Sequence, residues 1–200
     1  MLFRSHKYHD FYLNFGTNAG SFRGGAALSL TSNSNHDIYA LNNTCYNIVC
    51  GAEMTDTSGN TRFEMQNNIF VLRDSPNATD PSEDAIDMAF IHDGGNNAAF
   101  GESNLFQILD GTETWYYNGS RYATLALFET AAGGNFANGS IADPLFEDSA
   151  SGDFRLGSGS PALISPDLVA VDTTAPYTEF NTRYGLTLTA PTYIGAKPAS

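Results

Sequence analysis

The sequence predicts an all-β chain wound as a parallel β-helix, a solenoid with coils of about 25 residues. Three observations predict it. Asn18, Asn43 and Asn68 stand 25 residues apart, and Asn104 follows 36 residues later. A second series, Asn35, Asn60 and Asn96, takes the same steps of 25 and 36. Between the markers lie short alternating apolar runs, punctuated by turn-forming stretches such as "TSNSN" (31–35), "TSGN" (57–60) and "DGGN" (93–96). Period-two runs bounded by Gly, Asn and Ser read as strands.

The elements follow in order over 10–121. Leu13/Phe15, Ile38/Ala40 and Phe63/Met65 precede the first asparagine series at equal offsets. Leu28/Leu30, Ala52/Met54 and Met88/Phe90 form a second row. Ala19, Thr44, Ile69 and Leu105 follow the asparagines. The polar stretch "RDSPNATDPSEDAID" (73–87) accounts for the longer step as an insertion. A coil that climbs one strand spacing, roughly 4.8 Å, per turn stacks equivalent residues on one another. Asparagine tolerates the left-handed backbone of a sharp bend, and stacked amides bond along the ladder. Asn18, Asn43, Asn68 and Asn104 are therefore expected to be structural. The repeat is too short for a propeller blade and lacks a leucine-rich signature. "SRYATLALFETAAGG" (120–134) has a serine start, good helix formers and a Gly-Gly stop, which predicts a short helix over 122–132. Closing coils run to 163, and 164–200 form an irregular C-terminal tail or cap of a single 1–200 domain.

Charge limits the partners. The chain carries 9 basic and 22 acidic residues, a net charge of −13, and its only lysines are Lys7 and Lys197. Such a surface repels nucleic acid and anionic membrane, and no apolar run approaches the roughly 18 residues of a membrane span. The acidic, lysine-poor composition suits a secreted protein or one from a saline habitat. "MLFRSHKYHDFYLNF" lacks the apolar stretch of a signal peptide, so either a signal has been removed or the chain is a piece of a longer one. Cys45 and Cys50 could close a small disulfide loop or remain two buried thiols. Sequons start at Asn42, Asn77, Asn118 and Asn138.

"YATLALFETAAGGNFANGSIADPLFEDSASGDFRLGSGSPAL" (122–163) resembles the closing segment of many bacterial right-handed parallel β-helix proteins of the pectate-lyase-like superfamily. The resemblance rests on Gly133, Asp143–Phe146, Gly152–Leu156, Gly159–Ala162 and the late "YIGA" (193–196), where Tyr193 stands in place of the usual acidic residue. It covers roughly residues 30–200 and implies a right-handed fold; enzymes and non-enzymes share this segment alike. Phe146, Phe154 and Leu156 are expected in the core, with Arg155 beside Asp153 or Glu147.

The resemblance also implies where chemistry would sit. Lyases of that superfamily use an Arg or Lys base, often with Ca²⁺, and hydrolases of that shape use clustered aspartates. Arg62, Arg73 and Arg121 are the only basic residues between 24 and 154, and Arg73 borders the insertion. Asp74, Asp80, Glu83, Asp84 and Asp87 offer oxygen ligands suited to Ca²⁺, with Asp80, Glu83, Asp84 and Asp87 the candidate set, though they match no EF-hand spacing. His36 and His92 sit at different offsets from their markers, so they make no zinc pair. No nucleophile-elbow sequence is present. In "WYYNG" (115–119) the rings of Trp115, Tyr116 and Tyr117 cannot all point inward; they stack on sugar rings or cover the core.

These readings converge on an extracellular or cell-surface module associated with polysaccharide, binding or structural, part of a larger protein and able to stack end to end or form a homo-oligomer. The alternatives are the C-terminal part of a polysaccharide lyase or glycoside hydrolase, and a structural adhesin or phage tail component.

Overall fold

In the computed structural model the chain is described over residues 2–4, 26–30, 36–41, 43–48, 50–54, 61–73, 86–91, 98–163 and 194–195. The first strands are β1 (Leu2–Arg4), β2 (Ala26–Leu30), β3 (His36–Leu41), β4 (Thr44–Ile48) and β5 (Cys50–Met54). Next come β6 (Thr61–Gln66), β7 (Ile69–Leu72), β8 (Ile86–Ile91), β9 (Ala98–Glu102) and β10 (Leu105–Ile108). Then follow β11 (Glu113–Tyr117), β12 (Ser120–Tyr122), helix α1 (Leu125–Ala131), β13 (Phe136–Ala137), β14 (Ser140–Ile141), β15 (Phe146–Asp148) and β16 (Asp153–Leu156).

The strands form three main sheets. The first has the order β1-β3-β6-β9-β13, the second β14-β10-β7-β4 and the third β12-β11-β8-β5-β2; β15 and β16 pair separately. Neighbours inside each sheet are mostly parallel. Ala40 lies beside Met65, Met65 beside Gly101 and Gly101 beside Phe136. Thr44, Ile69, Leu105 and Ser140 line up in the second sheet. Gly101 is glycine for a spatial reason: a Cβ there would come within 2.4 Å of the Phe136 ring.

The regular parallel β-helix expected from the 25-residue period is corrected by this pairing. The described residues make small sheets of mixed parallel and antiparallel pairs and close no solenoid. β1 joins β3 antiparallel, β12 turns back on β11, and β15 pairs antiparallel with β16. The β11–β12 reversal is local chemistry. Asn118 and Gly119 have φ of 46° and 90°, the pair of left-handed residues that a two-residue hairpin turn requires. That reversal ends the third sheet at β12, while the chain returns to the first two sheets as the short parallel strands β13 and β14. The physical reason for the misreading is general. A fixed spacing reports which residues lie side by side in parallel strands, and any set of parallel ladders with equal connections produces it.

Three finer expectations shift as well. The second apolar row slips by one residue, since Ala52 lies beside Ala89 rather than Met88. Left-handed bends fall one residue before Asn68 and Asn104, at Asn67 and Ser103 with φ of 54° and 52°, and Asn138, with φ of 56°, bends before Gly139. The helix is shorter than 122–132, starting after the cap Thr124, whose hydroxyl accepts from the Leu127 N–H.

The core has two parts. Between the sheets, Ala40, Cys45, Phe63, Met65, Phe70 and Phe106 pack together, and Trp115, Phe128 and Phe136 close one end. Phe70 stacks on Phe106 at 5.3 Å, and Trp115 stacks on Phe128 of α1 at 4.9 Å. On the other face of the second sheet, Ile69, Val71 and Leu105 meet Leu156, Ala162 and Ile194, with Phe146 half-buried against them. That sheet is covered on both sides, which is why β7 reads "IFVL" without alternation and is buried throughout. Phe154 is half-buried, 5.0 Å from Tyr46 by ring centroids. Arg155 pairs with Asp153 at 2.5 Å on the surface.

Candidate functional site

Strand alternation builds a polar row on the outer face of the first sheet. Phe63 and Met65 of β6 enter the core, so Glu64 and Gln66 point the other way. Both are nonetheless buried, at 6% and 8% exposure. The Gln66 amide Nε2 donates to Glu64 Oε1 at 2.5 Å. Gln66 Oε1 is buried without a hydrogen-bond partner. Beside Gln66 in the ladder stands half-buried Glu102 of β9, which accepts from Asn138 Nδ2 at 3.4 Å. Carboxylates accept from hydroxyls and amides do both. A row of these groups on a hydrogen-bonded sheet is suited to a polyhydroxylated ligand.

The asparagine stack lies at the edge of the core. Asn43 donates from its backbone N and its Nδ2 to Asn68 Oδ1, both at 2.9 Å. Asn68 repeats the pattern toward Asn104 Oδ1, at 3.0 and 2.9 Å. Asn68 Nδ2 also reaches Ala40 O, and Asn104 Nδ2 reaches Met65 O. All three asparagines are buried. The amides of Asn68 and Asn104 are engaged by one another, by Asn43 and by the backbone, which gives the stack a structural role, while Asn43 Oδ1 is buried without a hydrogen-bond partner. Asn18 lies outside the described residues.

The aromatic trio divides. Trp115 is 0% exposed, between Phe106 and Phe128, and its indole N–H donates to Glu113 Oε1 at 2.8 Å. Tyr117 is buried edge-on against Phe128 and Phe136. Neither offers a ring face to a sugar. Tyr116 faces the opposite side and is half-buried against Cys50. Glu113 Oε1 also accepts the Leu125 N–H at 2.5 Å, which ties the start of α1 to β11.

Arg73 is exposed at the end of β7, with its backbone N–H bound to Ile48 O. The candidate Ca²⁺ residues Asp80, Glu83 and Asp84 lie outside the described residues. Asp87 is placed only by its backbone, beside Thr114 in the third sheet. Among the described residues no group of three or more His, Cys, Asp or Glu could hold a metal ion, and no helix is long and apolar enough to cross a membrane. Cys45 and Cys50 are both buried and form no disulfide, and Cys50 Sγ donates to Ala52 O at 3.5 Å. Burial pushes the Cys45 thiol up to about 12. Glu129 is also raised by burial, against a lowering hydrogen bond from the Gly139 N–H.

The sequence reading missed Glu64, Gln66 and Glu102. The signal was present: in "RFEMQ" the apolar residues at 63 and 65 leave 64 and 66 on the opposite face. Comparison of the chain with protein-family models, curated proteins and solved structures finds no match.

Proposed function

We propose that the chain is an extracellular or cell-surface module that associates with polysaccharide through the outer face of its first sheet. The observation that carries this reading is the polar row on that face, in which half-buried Glu102 and exposed Asn138 are hydrogen-bonded to each other beside Gln66. The resemblance of 122–163 to the closing segment of pectate-lyase-like proteins supports a carbohydrate setting, and the acidic composition supports a location outside the cell. The net charge of −13 disfavours a polyanionic partner, so the reading is for a neutral glycan.

The test is affinity for neutral and acidic polysaccharides on an array, comparing the unaltered chain with Glu102→Ala/Asn138→Ala. Binding to a neutral glycan that falls at least about tenfold in the variant, roughly 1.4 kcal/mol, is the expected result. Binding that is absent, or unchanged by the substitutions, refutes the proposal. The alternative of a uronate lyase rests on exposed Arg73. It predicts a Ca²⁺-dependent rise in ultraviolet absorbance on pectate or alginate that disappears in Arg73→Ala.

A further inference from the structure

Asn-Gly occurs twice in the chain, both times as Asn-Gly-Ser, at 118–120 and 138–140. Both asparagines are exposed and left-handed, with φ of 46° and 56°. A glycine in that position has no side chain to shield its nitrogen from the preceding carboxamide. The two pairs therefore share their local chemistry, and only their surroundings differ.

Asn138-Gly139 is held. The Gly139 N–H donates to Glu129 Oε1 at 3.0 Å, and Asn138 Nδ2 donates to Glu102 Oε1 at 3.4 Å. The residues on either side are fixed in parallel ladders, Ala137 beside Glu102 and Ser140 beside Leu105. A Cβ on Gly139 would meet Glu129 Oε1 at 3.1 Å and Leu125 Cδ2 at 3.2 Å, so α1 covers the glycine. Asn118-Gly119 is open. It forms the tip of the β11–β12 hairpin, whose ladder begins at Tyr117 and Ser120 and leaves both residues outside it. Gly119 is exposed, and a Cβ there would find only the Tyr116 hydroxyl, at 4.0 Å.

We propose that Asn118 is a site of spontaneous deamidation, and that Glu129 protects Asn138 from the same reaction. The Gly119 nitrogen loses its proton to solvent and attacks Asn118 Cγ. The N–Cγ bond forms, the Cγ–Nδ2 bond breaks, and the amide nitrogen takes a proton from water and leaves as ammonia. Water then opens the cyclic imide at either carbonyl, giving aspartate or isoaspartate. Aspartate adds a negative charge at the hairpin tip. Isoaspartate adds a carbon to the backbone of a tight turn, so the register of Tyr117 with Ser120 is lost and β12 loosens from β11. At Asn138 the attacking nitrogen must first give up its bond to the Glu129 carboxylate.

Incubating the natural chain in mildly alkaline buffer, with peptide mapping by mass spectrometry, tests this. Asn118 is expected to convert at least about tenfold faster than Asn138, because a hydrogen bond to a charged group must break before Gly139 can react. Equal rates, or faster conversion at Asn138, overturn the proposal. The same incubation in urea removes the fold and is expected to bring the two rates together. A difference that persists there assigns it to the flanking sequence and also overturns the proposal. Glu129→Ala is expected to speed conversion at Asn138 and leave Asn118 unchanged; a folded Glu129→Ala chain in which Asn138 stays protected overturns the role of the carboxylate. Should that variant fail to fold, the comparison of native and urea-unfolded natural chain decides. No step involves a glycan, so the outcome is independent of the proposed binding face.

Discussion

Two adjacent asparagines in "QNNIFVL" have different work. Asn67 supplies the left-handed backbone, φ 54°, and Asn68 supplies the buried amide that joins Asn43 to Asn104. Their substitutions should separate accordingly. Asn68→Ala leaves two donors of Asn43 without their acceptor and removes the Nδ2 bonds to Asn104 Oδ1 and Ala40 O, while the backbone N–H still reaches Asn104 Oδ1; a loss of about 3 kcal/mol in urea unfolding is expected. Asn67→Gly should be nearly neutral, because glycine adopts positive φ freely, whereas Asn67→Val should cost about 1–2 kcal/mol. Equal losses at the two positions would contradict this division. The sequence marks the pair but not which member bends, since both roles favour asparagine. Ser103 before Asn104 shows that the bend tolerates another small polar residue, while the ladder position keeps its amide.

At the scale of elements, α1 is too short to be stable alone; it has 7 residues and isolated helices of that length are marginal. It persists because Phe128 packs on Trp115, Tyr117 and Phe136, and because Glu113 holds both the Trp115 indole and the Leu125 N–H. Glu113→Ala orphans both donors and should destabilise the chain by about 2 kcal/mol. It should also change the near-ultraviolet circular dichroism of Trp115. A wild-type spectrum together with unchanged stability would show that the carboxylate is incidental. The helix was legible in the sequence from its helix formers and Gly-Gly stop, but its expected serine start was not: Ser120 lies in β12 and Thr124 is the cap. Its partner was not, because Glu113 lies twelve residues earlier on a strand whose alternation reveals facing but not reach. The same limit applies to "WYYNG": alternation put Trp115 and Tyr117 on one face, and only the packed helix made that face interior.

Over the whole molecule, the buried thiol gives stability a defined dependence on pH. The folded state raises Cys45 from its ordinary 9.0 to about 12 by desolvating the thiolate. The neutral thiol's contribution is therefore complete below pH 9 and is lost as pH rises toward 12. Stability measured by urea should fall across that range more steeply in the natural chain than in Cys45→Ala, while both change alike at neutral pH; parallel curves would remove Cys45 as the cause. Taken alone, the sequence determined which residues lie side by side along most of the parallel ladders. Residues one strand step apart in parallel neighbours recur at the length of their connection, and composition also determined the acidic surface. Tertiary structure alone decided how those ladders end: in an Asn-Gly hairpin, in a helix anchored by Glu113, and in a second sheet covered on both faces. It also decided that Glu64 and Gln66 are buried on the outer side. Spacing records adjacency, but closure, coverage and burial depend on contacts between segments whose separation in the chain follows no period.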